Sequence, residues 1–370
     1  MAKHMSRLTP LAAFGLATTM ALSACSGSAP TPAASRDLGT PVAGKIKPGS
    51  LKGTTLTFAS SGGIFQDGQM KSVWNPFAEE SGATMQQDAF DPAKTKAMVE
   101  SGQVSWDIVN AASIQGTMEC GTTYQKLDKT QIDFSKIPKG LVADDCSVPS
   151  ILYGDILVYN TALFGANPPT SFADFFDTKK YPGKRGVNMT THVEPEILEI
   201  ALQADGVDPS KLAPAHINQA VNKYKSLGNN LVGWTSGAQA QQQLESGEVA
   251  MSIVWSGRGF GAAKAGAPVA PMWNQWKIMT DSLLVPTGVK DPQAAFAALN
   301  YFLGSEQQAK STEATSYAPV NIDAKPNVSE QTAKWLVTSK LDSGTPRNAK
   351  FWRENFDAMT KAWGDWVTGN

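Results

Sequence analysis

The chain has 370 residues, 42% of them hydrophobic and 18% charged, and its 32 basic and 33 acidic side chains leave a formal net charge of −1. Such a balance lacks the basic stripe of a nucleic-acid binder, while the length suffices for two lobes of ordinary domain size. Histidine is confined to His4, His192 and His216, which leaves little material for histidine-based catalysis or metal ligation.

The chain opens with Lys3 and Arg7, an apolar run over residues 8–22, and then Leu22-Ser23-Ala24-Cys25. A positive start, a short apolar stretch and small residues before a cysteine are the parts of a secretory signal with a lipobox-type cleavage site. At about 15 residues the run falls short of the roughly 20 that a membrane-spanning helix needs. Residues 1–24 are therefore expected to be removed, leaving Cys25 as a lipid-modified N-terminus that anchors the protein to the bilayer on its extracytoplasmic side. The other reading is an ordinary signal peptide with an incidental cysteine. Residues 25–50 are small, polar and rich in Pro and Gly, and they read as a flexible tether.

Beyond the tether, short β-rich runs alternate with amphipathic helical stretches, the pattern of an α/β fold with largely parallel sheets. Residues 56–59 predict a buried strand, broken by Ser60-Ser61-Gly62-Gly63. A helix carrying Phe65, Met70, Trp74 and Phe77 follows. The unit repeats as a strand at 83–87, a helix at 92–100 and a strand at 106–110. Loops after such strands lie where open α/β sheets bind ligands. With Cys25 assigned to lipid, Cys120 and Cys146 remain as a pair that export would join in a disulfide. Two cysteines so far apart, without a nearby histidine, make a poor zinc site, and no metal or cofactor is expected.

Residues 150–160 close this first lobe. Pro168-Pro169-Thr170-Ser171 marks entry to a second, with Ser171 placed to cap a helix bearing Phe172, Phe175 and Phe176. Strands at 186–189 and 249–255 and helices at 194–204, 215–226 and 238–245 fill that lobe, and residues 281–286 read as the return crossing. The rest is mostly helical and ends on Trp352, Phe356, Met359, Trp363 and Trp366 at three- and four-residue spacing, a core-facing stripe. The expected division is residues 51–159 and 285–370 for lobe 1 and 160–284 for lobe 2. Two crossings between them make a hinge that can close on a ligand.

From Thr55 to near Ala324 the sequence resembles the extracellular solute-binding proteins of ABC importers, in the branch that includes spermidine/putrescine-binding proteins and relatives for GABA. The resemblance is carried by Thr57-Phe58-Ala59-Ser60-Ser61-Gly62-Gly63, Trp106-Asp107-Ile108-Val109, residues 154–160, and residues 247–258 with Trp255-Ser256-Gly257-Arg258. Asp281-Ser282-Leu283-Leu284-Val285-Pro286 and Tyr317-Ala318-Pro319-Val320-Asn321 complete it. Their order and spacing, more than any one of them, carry the specificity. The resemblance implies a type II periplasmic-binding-protein fold, two α/β lobes with a hinge and an interlobe ligand cleft. It also implies a monomer that catalyses nothing and delivers its solute to membrane permease subunits driven by a separate ATPase. This chain has no G-x-x-x-x-G-K-[ST] loop of its own.

An ammonium taken out of water needs a carboxylate and hydrogen-bond acceptors in exchange. Asp281 is the candidate, at what looks like the position where polyamine-binding relatives place an acid; a capping or interlobe ion-pair role is the other reading. A guanidinium forks onto a carboxylate and repels a second ammonium. Relatives that bind GABA resemble this chain in having Trp-x-x-Arg followed by Asp, which matches Trp255, Arg258 and Asp281. That combination implies a zwitterion such as a GABA-like ω-amino acid, carboxylate on Arg258 and amine on Asp281, unless Arg258 points to solvent from the first turn of a helix. Trp255 offers a cation–π face or belongs to the core. Ser61, Gly62 and Gly63 would bring backbone N–H groups close to a polar group, and Tyr317, Trp234 and Tyr153 would complete an aromatic wall.

Glu196 aligns loosely with an acid that polyamine-binding relatives use for a second amine. The preceding Thr191-His192-Val193-Glu194-Pro195 departs from that pattern, most plainly at His192, which reads as a surface or supporting histidine. Putrescine or spermidine is therefore the alternative ligand. Ferric ion is a third, weakened because no Tyr-Tyr pair exists and Tyr153 and Tyr159 are isolated. An enzyme reading finds no H-E-x-x-H, no G-x-S-x-G elbow and no C-x-x-C. A receptor or scaffold that kept the fold and lost transport is the remaining possibility.

Overall fold

A computed structural model describes residues 36–142, 144–191 and 193–369, so the signal segment, Cys25 and His192 lie outside the described residues. Among the described residues, nine strands form one sheet. In chain order they are β1 (Thr55–Ser60), β2 (Thr84–Ala89), β3 (Ile108–Ala112), β4 (Val148–Asn160), β5 (Arg185–Asn188), β6 (Leu231–Trp234), β7 (Met251–Trp255), β8 (Val269–Leu284) and β9 (Gly344–Thr345). Side by side they run β2-β1-β3-β8-β4-β7-β5-β6, with β9 added to β8.

Two parallel groups, β2-β1-β3 and β7-β5-β6, flank the long antiparallel pair β4 and β8. Their attachment points define the lobes. Strand β3 joins the end of β8, with Val109 opposite Leu284 and Ala112 opposite Asp281. Strand β7 joins the far half of β4, with Trp255 opposite Asp155 and Met251 opposite Tyr159. Between these points, residues 151–154 of β4 face residues 278–281 of β8. Register shifts at Pro149/Ile151 and at Ile156/Leu157 bracket this span, and such irregularities bend strands. This narrow two-strand span is the hinge between two α/β lobes.

Of β8, only the end near 281–286 is legible as a strand in the sequence. Asn274, Gln275, Lys277 and Thr280 interrupt the apolar pattern across its first three-quarters. Lys277 is nevertheless fully buried and ion-paired with Glu199 of the helix Pro195–Ala204. It also donates to Thr345 Oγ1 at 3.1 Å and to the Pro346 carbonyl at 3.2 Å. Glu199 accepts in addition from the backbone N–H of Asn348 at 2.8 Å and from the Trp352 indole.

The ends of the chain depart from the expected division. Residues 37–50 are not a loose tether, because Ile46 and Leu51 are buried in the first-lobe core. The Gly44 N–H donates to the Asn300 carbonyl at 3.1 Å, and Ala43 N–H to Asp133 Oδ2 at 3.2 Å. The aromatic stripe at the C-terminus does face a core, but that of the second lobe. It is split between helices Ala349–Glu354 and Phe356–Thr368. Phe351, Trp352, Met359 and Trp363 share a cluster with Ile197, Leu198 and Tyr224. Trp363 meets the Tyr224 ring edge-on at 5.5 Å and donates to the Thr190 carbonyl at 3.0 Å. The reassignment follows from where Lys277 and Glu199 hold the chain at residues 345–348.

Ser171 stands at the N-cap of Phe172–Phe176, its backbone N–H donating to Asp174 Oδ2 at 3.1 Å. Cys120 and Cys146 are joined by a disulfide with Cα atoms 5.6 Å apart. Among the described residues no helix is long and apolar enough to cross a membrane.

Candidate functional site

Strands β1, β3 and β7 end toward a common cavity, as ligand sites in open α/β sheets do. Its floor is the hinge itself. Ile151 and Tyr153 of β4 cluster there with Met279 of β8, and Phe65, Trp255 and Tyr317 pack against them. The rings meet edge-on: Tyr317 lies 5.2 Å from Phe65 and 5.7 Å from Tyr153. Tyr317 comes so close to Gly257 that a Cβ there would sit 2.8 Å from its ring and would push it aside.

Asp281 enters at the junction of β3 and β8. Its Oδ1 accepts from the Tyr153 hydroxyl at 3.1 Å and its Oδ2 from Asn110 Nδ2 at 2.9 Å. Burial pushes its carboxyl up to about 6, against the pull of those two hydrogen bonds. It is therefore ionised at neutral pH, but only just. Burial also raises the Tyr317 phenol, to about 12, and that of Tyr153, so both remain neutral donors.

Glu194 is the second acid on the cavity. It occupies the N-cap of Pro195–Ala204 in extended backbone, as a residue before proline prefers, and its Oε2 accepts from Trp255 Nε1 at 2.9 Å. Burial, and after it the charge of Glu196, push its carboxyl up to about 8. At pH 7 Glu194 is mostly protonated.

Arg258 is the third residue of the helix Ser256–Lys264 and faces the cavity from its first turn. Its Nε is buried with no acceptor, and among the described residues no carboxylate pairs with it. The helix start beside it has no side-chain cap, which leaves the positive end of the helix open to an anion. At neutral pH the cavity thus presents one guanidinium, one carboxylate and one neutral carboxyl among aromatic walls.

Six of the residues singled out in the sequence meet in this cavity: Ser61, Tyr153, Trp255, Arg258, Asp281 and Tyr317. Gly62 and Gly63 line a wider outer recess that shares Ser61, Phe65, Arg258 and Tyr317 with it. Their φ angles of 71° and 59° require glycine for the turn, and the Gly62 N–H already donates to Gln66 Oε1 at 2.9 Å. Trp234 stands behind the wall, 1% exposed, with its ring 5.4 Å from Trp255. Glu196 is not on the cavity. It turns inward, fully buried, and pairs with Arg347 at 2.9 Å.

Sequence reasoning missed Phe65, Ala112, Ile151 and Glu194 as lining residues, and Asn110 as the partner of Asp281. For Glu194 a signal existed: an acid directly before a helix-starting proline sits outside the helix, free to face the cleft. Phe65 reads as core from its helical spacing, and nothing local distinguishes it.

The family described as bacterial extracellular solute-binding protein matches residues 73–338. The gamma-aminobutyric acid-binding protein of Pseudomonas aeruginosa is 27% identical over 324 residues, 85% of this chain and 91% of that protein. The spermidine/putrescine-binding periplasmic protein of Escherichia coli K12 is 26% identical over 248 residues, 64% of this chain and 68% of that one. Among solved structures, one described as a GABA receptor superposes with a TM-score of 0.77 at 33% identity, covering 85% of this chain and 98% of its own. The binding protein MotA from A. tumefaciens B6, in complex with glucopine, gives 0.74 at 29% identity, with 84% and 99% covered.

Proposed function

This chain belongs to the family of bacterial extracellular solute-binding proteins, and from that premise we propose that it captures a GABA-like ω-amino acid, carboxylate on Arg258 and ammonium on Asp281. Proteins of this kind bind a small molecule outside the cytoplasm and pass it to the permease of an ABC importer; they are not enzymes. The observation that carries the ligand assignment is the charge pattern of the cavity. One unpaired guanidinium and one ionised carboxylate complement a zwitterion, while the neutral Glu194 asks for no second cation. The aromatic rings add favourable faces for an ammonium. Arg258 extends from the second lobe and Asp281 lies at the junction with the first, so a ligand bonded to both favours closure by differential affinity for the closed state. The GABA-binding relatives support the same choice.

A second reading has its own observation. Glu194 places a second acid on the wall, and a diamine could ionise it, in keeping with the spermidine/putrescine-binding relatives. Thermal shift separates the two, since a ligand stabilises the state it binds in proportion to ln(1 + [L]/Kd). γ-Aminobutyrate is expected to raise the melting temperature more than putrescine at equal concentration. The reverse order would remove the ω-amino acid reading.

The protein acts as a monomer anchored through a lipid on Cys25. Cys25→Ala should release it from the membrane fraction into the soluble one, and unchanged fractionation would argue against the anchor.

A further inference from the structure

Behind Glu194 lies a cluster of buried charge that the binding reading does not use. Glu196 Oε1 accepts from Arg347 Nη1 at 2.9 Å, with side chains 1% and 11% exposed. Glu196 Oε2 and both carboxyl oxygens of Asp155 are buried with no hydrogen-bond partner. Burial, together with the charges of Glu194 and Glu196, pushes the Asp155 carboxyl well above its ordinary range. Three carboxyl groups therefore crowd this wall. Among the described residues, the two cations that act on this crowd are Lys277 and Arg347; Lys277 is committed to Glu199, which leaves Arg347.

Arg347 arrives from outside the two parallel groups, two residues after β9. Its Nη2 donates to Ser113 Oγ at 3.1 Å, the residue after the cavity-lining Ala112. The guanidinium is thus held between Ser113 of the first lobe and Glu196 of the second, next to the cavity and on the side of Glu194.

We propose that Arg347 is a specificity-determining residue: a resident cation that occupies Glu196 and so keeps the Glu194 side of the cleft from accepting the second ammonium of a diamine. The proposal rests on the ω-amino acid reading and deepens it. A fixed guanidinium beside this wall repels an incoming ammonium and leaves the acid beside Glu194 already answered. Without it, surplus carboxylate would stand behind Glu194, beside a cavity that already takes one ammonium at Asp281. A clasp that merely held the lobes together would change affinity for all ligands alike, so the discriminating quantity is a ratio.

The test titrates the full chain with γ-aminobutyrate and with putrescine, followed by tryptophan fluorescence. Arg347→Gln removes the charge and leaves a shorter, neutral hydrogen-bonding side chain. It is expected to raise putrescine affinity relative to γ-aminobutyrate by about tenfold or more. Arg347→Lys should leave the ratio as in the wild type, and the double variant Glu196→Gln/Arg347→Gln, which removes both charges, should restore it. An unmoved ratio in Arg347→Gln, or a double variant that behaves like the single one, overturns the proposal. If Arg347→Gln does not fold, Glu196→Gln is read instead. It leaves Arg347 unpaired beside the wall and should move the ratio toward γ-aminobutyrate, and no movement there also overturns the proposal. A wild-type protein that prefers putrescine sinks the ω-amino acid reading, while the direction of the Arg347 effect is still measured on the same two ligands.

Discussion

Two groups of buried charge meet around the helix Pro195–Ala204, and they are completed in opposite ways. Glu199 has Lys277, the Trp352 indole and the Asn348 N–H, and Lys277 in turn has Thr345 and Pro346. That group closes on itself and ties the C-terminal segment to the hinge strand. Asp281, Glu194 and Arg258 instead leave part of their capacity open to a cavity, with a guanidinium that no carboxylate among the described residues meets and two carboxyl groups held above their ordinary range. Burying a charge is costly unless it is answered. The chain answers the Glu199–Lys277 pair internally and leaves the cavity charges for a ligand to answer.

Charge deletions should therefore have opposite consequences in the two groups. The largest effect is expected for Lys277→Met, which strands Glu199 and should lower stability to urea by about 3–5 kcal/mol. It should leave the preference between γ-aminobutyrate and putrescine unchanged, and a mild loss would mean that the closed group is not a structural tie. Asp281→Asn should weaken γ-aminobutyrate binding by about 100-fold, as loss of a buried charge partner does. The same change should raise the melting temperature of the ligand-free protein, because it removes a carboxylate that burial disfavours; a fall would break the comparison. Arg258→Ala should cost about 10- to 100-fold in γ-aminobutyrate affinity and leave putrescine affinity equal or better. If it leaves γ-aminobutyrate binding intact while Asp281→Asn abolishes it, the ligand is a plain amine.

How much of this was legible depended on whether a residue's fate was decided locally. Strands β1 and β3 are largely apolar runs bounded by turn residues, and they lie close to where the sequence pattern places them. The first three-quarters of β8 was hidden because Lys277 is made compatible with burial by Glu199, which is 78 residues away in sequence. Glu194 and Glu196 differ by two positions and have opposite fates, since the helix begins between them at Pro195. The resemblance to amine-binding relatives pointed to Glu196, whereas helix-start geometry points to Glu194. The C-terminal aromatic stripe announced a buried face without saying which core would bury it, because that choice is made by Tyr224 and Thr190, both distant in the sequence.

The smallest predicted effect is also the most direct measure of the open group. Asp281 and Glu194 have folded-state values of about 6 and about 8, above their ordinary 3.8 and 4.5. Groups raised in this way stabilise the fold at acid pH and lose that contribution as pH rises through the folded-state value. These two groups should therefore make the ligand-free protein less stable as pH goes from near 4.5 to above 8, with the slope from Asp281 concentrated below 6 and absent in Asp281→Asn. Ligand binding should follow the opposite sign, since an ammonium requires the ionised form of Asp281. Affinity for γ-aminobutyrate should hold above pH 6 and weaken below it, approaching about tenfold per pH unit. A ligand bound equally well at pH 4.5 and pH 7.5 would mean that Asp281 does not meet its charge, since a protonated carboxyl has none to offer.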